Sequence, residues 1–169
     1  CANACWTLLG ILWLALAFWK KKAKQQETPL QILQHFGPLV LGFWLVFGPD
    51  QVVAGLERRL FTPPPPVLWL GLVLTVIGVA ISLAARFTLG RNWSGVVTLK
   101  DSHELIRNGV YSRMRHPIYS GQFVALLGVA LISTRLQNFL GFVIIYFTYY
   151  FKARREEEFL RGEFGPAFE

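Results

Sequence analysis

Charged side chains are scarce in this chain: only 16% of its 169 residues are Asp, Glu, Lys or Arg, whereas a soluble domain carries about 25%. A soluble protein of this length would bury only about 70% of its surface, and the charges are too few to cover the remainder. Cysteine is also rare, with only Cys1 and Cys5 present, which excludes a disulfide scaffold and leaves no cysteine set for a metal. An apolar content of 53% excludes a disordered chain.

Acidic residues are the scarcer charge, since 17 Lys and Arg stand against 10 Asp and Glu, for a formal net charge of +7. A nucleic-acid-binding protein would distribute its basic residues along a solvated face. Here they form short clusters between long apolar runs, which is typical of a membrane protein. We therefore expect membrane lipids, and no nucleic acid, as partners.

The apolar runs predict an all-α integral-membrane bundle of about five transmembrane helices in a single domain, residues 1–169. The first run has 18 uncharged residues and would extend about 27 Å as a helix, close to the thickness of the hydrocarbon layer. The second is interrupted by a Gly-Pro-Asp turn signal at 48–50, so its helix is kinked or ends near Phe47. The five runs are Ala2–Trp19, about Leu30 to Leu56, Val67 to about Ala85, Ile118–Ser133 and Phe139–Phe151.

Two further segments complete this expected architecture. Pro63 to Pro66 predict an extended connection that excludes helix. The charged stretch Lys152–Glu169 carries Phe and Leu at helical spacing, which predicts a C-terminal amphipathic helix on the cytoplasmic membrane surface.

The basic residues also predict the orientation of the bundle. Fourteen of the 17 fall in the segment after the first run, in the segment 86–115 and in the C-terminal tail. By the positive-inside rule these three segments face the cytoplasm, and the N-terminus faces the opposite side.

The polar segment 86–115 ends in the densest group of chemically competent residues. Pro117 favours the first position of a helix, which places His116 at the cap. Arg115, His116 and Tyr119 then converge at a helix N-terminus, where exposed N–H groups favour an anion. Gly121 permits the close approach of a flat ligand or of another helix.

A second group follows the last apolar run. Glu156 and Glu157 are natural acceptors for ribose hydroxyls. From the residues alone, the more common explanations of the two groups are an Arg-His pair that contacts lipid headgroups and a solvated helix face.

Taken in order, the motifs resemble one known family. Gly-x-Tyr, then Arg-His-Pro-x-Tyr-x-Gly, then an apolar hairpin and Glu-Glu-x-x-Leu-x-x-x-Phe-Gly are similar to the isoprenylcysteine carboxyl methyltransferases and their prokaryotic relatives. The resemblance covers about 78–168 and makes 67–169 the family core, with 1–66 as additional N-terminal helices. Its positions here are Gly109, Tyr111, Arg115, His116, Pro117, Tyr119, Gly121, Glu156, Glu157, Leu160, Phe164 and Gly165.

The resemblance implies a multi-pass membrane enzyme that binds S-adenosyl-L-methionine on its cytoplasmic face. The implied cofactor-binding residues are Tyr111, Arg115, His116, Pro117, Tyr119, Gly121, Glu156 and Glu157, with Arg154 near them. A carboxylate acceptor is already ionised at neutral pH and needs a cationic anchor instead of a base. Arg86 and Arg91 are the candidates for this catalytic anchor, although Arg86 suits headgroup contact as well.

The expected acceptor is a lipophilic or prenylated substrate that enters from the bilayer, with its isoprenylcysteine-like carboxylate as the methylated group. A phospholipid amine stays open as the acceptor. Two alternatives also stay open: an NADPH-dependent sterol-type reductase on the same scaffold, against which His116-Pro117 argues, and a small non-enzymatic membrane scaffold. The expected location is the plasma membrane of a bacterium or archaeon, or the endoplasmic reticulum of a eukaryote.

Overall fold

The computed structural model describes residues 2–17, 23–26, 28–49, 55–56, 58–95, 98–100 and 105–168. Helices dominate this part of the chain, as the apolar runs predict. Five α-helices are present in it: α1 (Ala2–Ala17), α2 (Pro29–Phe47), α3 (Pro65–Leu89), α4 (Pro117–Ser133) and α5 (Leu136–Phe164). Single 3-10 turns follow or precede them at Gly90–Asn92, Gly109–Ser112 and Gly165–Phe168.

Local sequence determines where α2 and α3 begin and end. At Thr28 the side chain accepts a hydrogen bond from the N–H of Gln31, and the Gln31 side chain accepts one from the N–H of Thr28, which is a capping box. The helix ends at Phe47, which confirms the second of the two predicted possibilities. α3 begins at Pro65, so the prediction that all four prolines exclude helix was wrong for Pro65 and Pro66. Proline is tolerated in a first turn because its missing N–H would have no partner there.

Small residues bring α3 and α4 into close contact. A Cβ atom added at Gly121 would lie 2.5 Å from the Ser82 hydroxyl oxygen and 2.7 Å from the Gly78 carbonyl oxygen, and one added at Gly71 would lie 2.7 Å from the Gly128 carbonyl oxygen. Close backbone approach of this kind is how membrane helices associate, since lipid tails offer no hydrophobic gain between helices. Gly121 therefore faces another helix, one of the two roles that its position predicts.

The C-terminal charged segment continues α5 instead of forming a separate helix. α5 runs without interruption for 29 residues through Lys152 to Phe164, about 43 Å at 1.5 Å per residue. The prediction of a distinct surface helix was wrong in this respect, because Lys, Arg and Glu are good helix formers and give the helix no reason to end. The length of α5 exceeds the thickness of a hydrocarbon layer, about 30 Å, by about 13 Å.

Among the described residues, two helical segments are long and apolar enough to cross a membrane: Pro29–Phe47 and Pro65–Asn92. The helical segments Ala2–Leu16 and Pro117–Ser133 are apolar but shorter. The figure of about five transmembrane helices remains a prediction.

The loops between helices meet in pairs at the two ends of the bundle. Strand β1 (Ala23–Gln26), between α1 and α2, pairs antiparallel with strand β2 (Thr98–Lys100), between α3 and α4. This short ladder is absent from the all-α prediction. At the opposite end, Arg59 forms an isolated antiparallel bridge with Arg135. The two connections that carry most basic residues thus lie at the same end of the bundle.

Candidate active site at the basic end of the bundle

A cavity of about 900 Å³ lies among α1, α2, α4, α5 and the segment after α3. Its lining divides into two regions. We call the first the apolar arm, formed by α1 and α2: Trp6, Leu9, Gly10, Trp13, Leu14, Phe36, Leu39, Phe43 and Phe47. We call the second the polar end: Asn92, Ser94, Tyr111, Arg115, His116, Tyr119, Gln122, Lys152 and Glu156.

At the polar end, the start of α4 meets the charged part of α5. His116 caps α4 directly before Pro117. Its Nε2 lies 3.0 Å from Glu157 Oε1 and its Nδ1 lies 3.5 Å from Glu156 Oε2. The Tyr119 hydroxyl donates a hydrogen bond of 2.5 Å to Glu156 Oε1, and the His116 and Tyr119 rings stack with centroids 5.6 Å apart. The two sequence motifs therefore form one network of hydrogen bonds.

The network favours the charged forms of His116 and Glu156. Burial lowers the pKa of His116, but its hydrogen bonds to Glu156 and Glu157 and their negative charges outweigh burial, so the pKa lies above its ordinary value of 6.5. Burial raises the pKa of Glu156, yet its hydrogen bond with His116 and the charge of Lys152 leave it below its ordinary value of 4.5. Glu156 thus presents an anionic oxygen to the cavity.

Tyr111 adds a neutral hydroxyl to the same region. Burial raises the pKa of Tyr111, and the negative charge of Glu156 raises it further. The Tyr111 hydroxyl therefore keeps its proton at physiological pH and can donate a hydrogen bond to a ligand.

Five of the nine residues expected to bind a cofactor line the cavity: Tyr111, Arg115, His116, Tyr119 and Glu156. The other four lie behind its wall or outside it. Pro117 is buried at the start of α4, and Gly121 packs on α3. Glu157 holds His116 from behind and also meets the guanidinium groups of Arg115, at 3.9 Å, and Arg161, at 3.5 Å. Exposed on α5, Arg154 donates a hydrogen bond of 3.0 Å to Tyr150.

The two arginines expected to anchor the acceptor are not among the cavity-lining residues. Arg86 has no exposed surface, so it does not reach the lipid headgroups either. Its guanidinium donates to the carbonyl oxygens of Leu16, at 2.5 Å, and Gly90, at 2.8 Å, and lies 4.4 Å from the centre of the Trp93 ring. Arg86 thus ties the end of α1 to the end of α3. Arg91 is exposed on the turn that follows.

Sequence reasoning missed Lys152, which lines the polar end. Although it is a lysine, only 6% of it is exposed. Its Nζ donates a hydrogen bond of 2.6 Å to the Gly95 carbonyl oxygen and lies 5.6 Å from the centre of the Tyr119 ring. Helical spacing gave a signal that could have found it, because Lys152 precedes Glu156 by four residues and so shares its helix face.

Gln122 and Tyr149 were also missed. They line the cavity beneath Tyr119, and the Tyr149 hydroxyl donates a hydrogen bond to the Gln122 side-chain oxygen. The Tyr149 ring stacks on the Tyr119 ring with centroids 4.6 Å apart. These contacts fix the orientation of Tyr119 from the side opposite His116.

A second cavity, of about 510 Å³, adjoins the first and shares Tyr111, Arg115 and Leu160 with it. Arg107 and Arg113 contribute further positive charge, and none of the described residues that line it is acidic. The described lining of this second cavity therefore suits an anionic group. Within the described part of the chain, no group of three or more His, Cys, Asp or Glu could hold a metal ion.

Comparison with known proteins finds matches to the part of the chain that contains the polar end of the cavity. A family model described as phospholipid methyltransferase matches residues 66–167. A probable protein-S-isoprenylcysteine O-methyltransferase of Oryza sativa subsp. indica is 35% identical over 106 residues, which cover 61% of this chain and 56% of that protein. The corresponding methyltransferase of Homo sapiens is 31% identical over 123 residues, covering 70% of this chain and 40% of the human protein. The Mus musculus protein is 36% identical over 110 residues, covering 61% and 38%. The chain thus spans about half the length, or less, of these curated relatives.

Proposed function

The chain belongs to the phospholipid methyltransferase family, and from this premise we propose that it transfers a methyl group from S-adenosylmethionine to the carboxylate of an isoprenylcysteine-like acceptor. One observation carries the proposal: a single cavity joins a charged polar end to a long apolar arm. A water-soluble, cationic donor fits the first region, and a lipid-tailed acceptor fits the second.

The polar end suits the donor. When bound, S-adenosylmethionine supplies a methyl group on a sulfonium cation. Glu156 faces the cavity with an anionic oxygen, suited to ribose hydroxyls, while Glu157 holds His116 in place from behind. The Tyr119 and Tyr149 rings line the same region and add aromatic surface to it. Tyr111 and Arg115 add donors for the carboxylate of the cofactor.

The apolar arm suits the acceptor's tail. Trp6 lies within 5.9 Å of Phe43 and 5.1 Å of Phe47, measured between ring centroids, so α1 and α2 present aromatic walls. The same walls keep water from the reacting carboxylate, whose hydration would slow its attack on the methyl group.

The reaction asks for positioning more than for proton transfer. A carboxylate oxygen of the acceptor forms a bond to the methyl carbon, the carbon–sulfur bond breaks, and its electron pair stays on sulfur. The products are a methyl ester and S-adenosylhomocysteine. The chain must hold the two reacting atoms at about 3 Å in line, which a rigid wall of packed helices provides.

The proposal includes a multi-pass membrane location with the polar end at the cytoplasmic face. The pairing of β1 with β2 supports it, because this pairing gathers the two basic connections at the end where the cavity is polar. A cytosolic cofactor would then enter from water, and the acceptor's tail would enter from the bilayer.

The test is methyl transfer from tritiated S-adenosylmethionine by the purified chain in lipid nanodiscs, with N-acetyl-S-farnesylcysteine as acceptor. We expect label that alkali releases as methanol, since a methyl ester is base-labile. Alkali-stable label on phosphatidylethanolamine would instead show an amine acceptor. Thermal stabilisation by NADPH without any by S-adenosylhomocysteine would favour the reductase and contradict the proposal.

A further inference from the structure

Along the cavity, one face of α5 changes from an aromatic residue to a cationic and then an anionic residue. Tyr149, Lys152 and Glu156 all line it, and their spacing of three and four residues places them on the same helix face. Lys152 lies about 6 Å before Glu156 along the helix axis. The lysine therefore sits between the aromatic region and the anionic oxygen of Glu156.

Lys152 is also the buried cation of the cavity. Of the described residues that line it, only Lys152 and Arg115 carry a permanent positive charge. The Arg115 side chain is 49% exposed and meets Glu157, whereas Lys152 is 6% exposed. A charge in a site of low dielectric acts more strongly on a ligand than one in water.

The geometry of the ammonium group permits a ligand. Its bond of 2.6 Å to the Gly95 carbonyl oxygen fixes the end of the side chain against the segment after α3. An ammonium has three N–H donors, so it can hold this carbonyl oxygen and a carboxylate at the same time. Arg86, in contrast, has its guanidinium turned to the Leu16 and Gly90 carbonyl oxygens.

We propose that Lys152 is the cationic anchor of the acceptor's carboxylate, and that it selects carboxylate acceptors over amine acceptors. This proposal rests on the proposed methyl transfer. A tail in the apolar arm brings its polar head to the level of Lys152, next to the donor at Glu156. The ammonium holds one carboxylate oxygen, the other attacks the methyl carbon, and Lys152 keeps its proton throughout. A protonated amine head is repelled at the same place, which excludes an ethanolamine lipid.

The test compares two ligands that differ only in the anchored group: N-acetyl-S-farnesylcysteine and its carboxamide. Their binding is measured without turnover, by displacement of a fluorescent farnesyl probe from the full chain in nanodiscs. We expect the wild type to prefer the acid and K152M to lose about tenfold to a hundredfold in affinity for the acid alone. K152R should retain part of the preference. As a matched control, R58M removes an exposed cation at the opposite end of the bundle and should change nothing.

Steady-state kinetics distinguish a role of Lys152 in binding the acceptor from a purely structural role. K152M should raise the acceptor KM and leave the KM of S-adenosylmethionine unchanged. A higher donor KM with an intact acid preference would overturn the proposal and assign Lys152 to the donor. An unchanged acid preference in K152M, or in K152Q if K152M does not fold, would also overturn it. If the wild type binds the acid through Lys152 but transfers no methyl group, the proposed function fails while the anchor stands.

Discussion

Replacement of Gly121 by alanine separates helix packing from cofactor binding, the two roles that the sequence leaves open for this residue. The added Cβ would lie 2.5 Å from the Ser82 hydroxyl oxygen and 2.7 Å from the Gly78 carbonyl oxygen. Both distances are shorter than real Cβ contacts allow, and one of the two atoms belongs to the backbone. α3 and α4 must therefore move apart.

The effect of G121A on the free energy of unfolding is the sum of a destabilising and a stabilising contribution. Overpacking of this kind costs about 2–3 kcal/mol, while alanine gains about 1 kcal/mol over glycine in a helix interior. G121A should thus lower the free energy of unfolding by about 1–2 kcal/mol, which is a fall in Tm of about 3–6 °C for a chain of this size. Gly162 offers the matched control, because an added Cβ there meets nothing within 4 Å. G162A should raise the Tm slightly.

The assay is thermal unfolding in detergent, with and without S-adenosylhomocysteine. We expect G121A to lose stability and to keep most of its stabilisation by the ligand, since the glycine faces α3. If G121A melts as G162A does, the argument from close helix contact is refuted. If it keeps its Tm but loses the response to ligand, Gly121 lines the cofactor site, as the family resemblance implies.

Three further predictions concern the network and its supports. The His116 pKa is raised above 6.5 and the Glu156 pKa is lowered below 4.5, so we expect their pairing to stabilise the fold fully between these values. This stabilisation is lost when the pH rises through the folded-state pKa of His116, and also when the pH falls through the folded-state pKa of Glu156. In H116A, the Tm should therefore no longer decline on the alkaline side of its pH profile. E156Q should weaken S-adenosylhomocysteine binding about tenfold or more by calorimetry, whereas E158Q, at an exposed position two residues further along α5, should not; equal losses would contradict the assignment of Glu156 to the donor. R86M should lower Tm, since it removes the guanidinium hydrogen bonds to the Leu16 and Gly90 carbonyl oxygens; a raised acceptor KM at unchanged Tm would restore Arg86 as the anchor.

The sequence predicted the helices well and their ends less well, for a physical reason. Long apolar runs mark chain that must hydrogen-bond internally in a membrane, so α1 to α4 follow from composition. Composition also marks the boundary with water, but this boundary need not end a helix. α5 continues from its apolar part into its charged part, which begins at Lys152, without a break. Pro65 likewise belongs to α3, because proline opposes a helix interior and not a first turn.

The polar end was partly predictable for a similar reason. His116 and Glu156 belong to motifs whose order carries information, so they could be grouped before any contact between α4 and α5 was known. Lys152 belongs to no such motif, and the direction of its side chain depends on the rotation of α5 about its axis. That rotation is set by packing, since a Cβ added at Gly141 would lie 2.6 Å from the Gly42 carbonyl oxygen on α2. Arg86 misled the sequence reasoning because a basic residue at a helix end looks the same whether it faces a ligand or a backbone carbonyl.

The two regions of the cavity come from different parts of the chain, which bears on how substrate specificity is encoded in the sequence. The described residues of the polar end all lie between Asn92 and Glu156, inside the family match at 66–167, whereas the apolar arm is formed by residues of α1 and α2, outside that match. In the proposed reaction, donor binding and methyl transfer are then properties that the family model captures. The fit of the acceptor's tail depends on residues such as Gly10 and Phe43, which it does not cover. If both proposals hold, family members that share this polar end, Lys152 included, can therefore differ in the length and shape of the tail they accept while they methylate the same chemical group at the head of that tail.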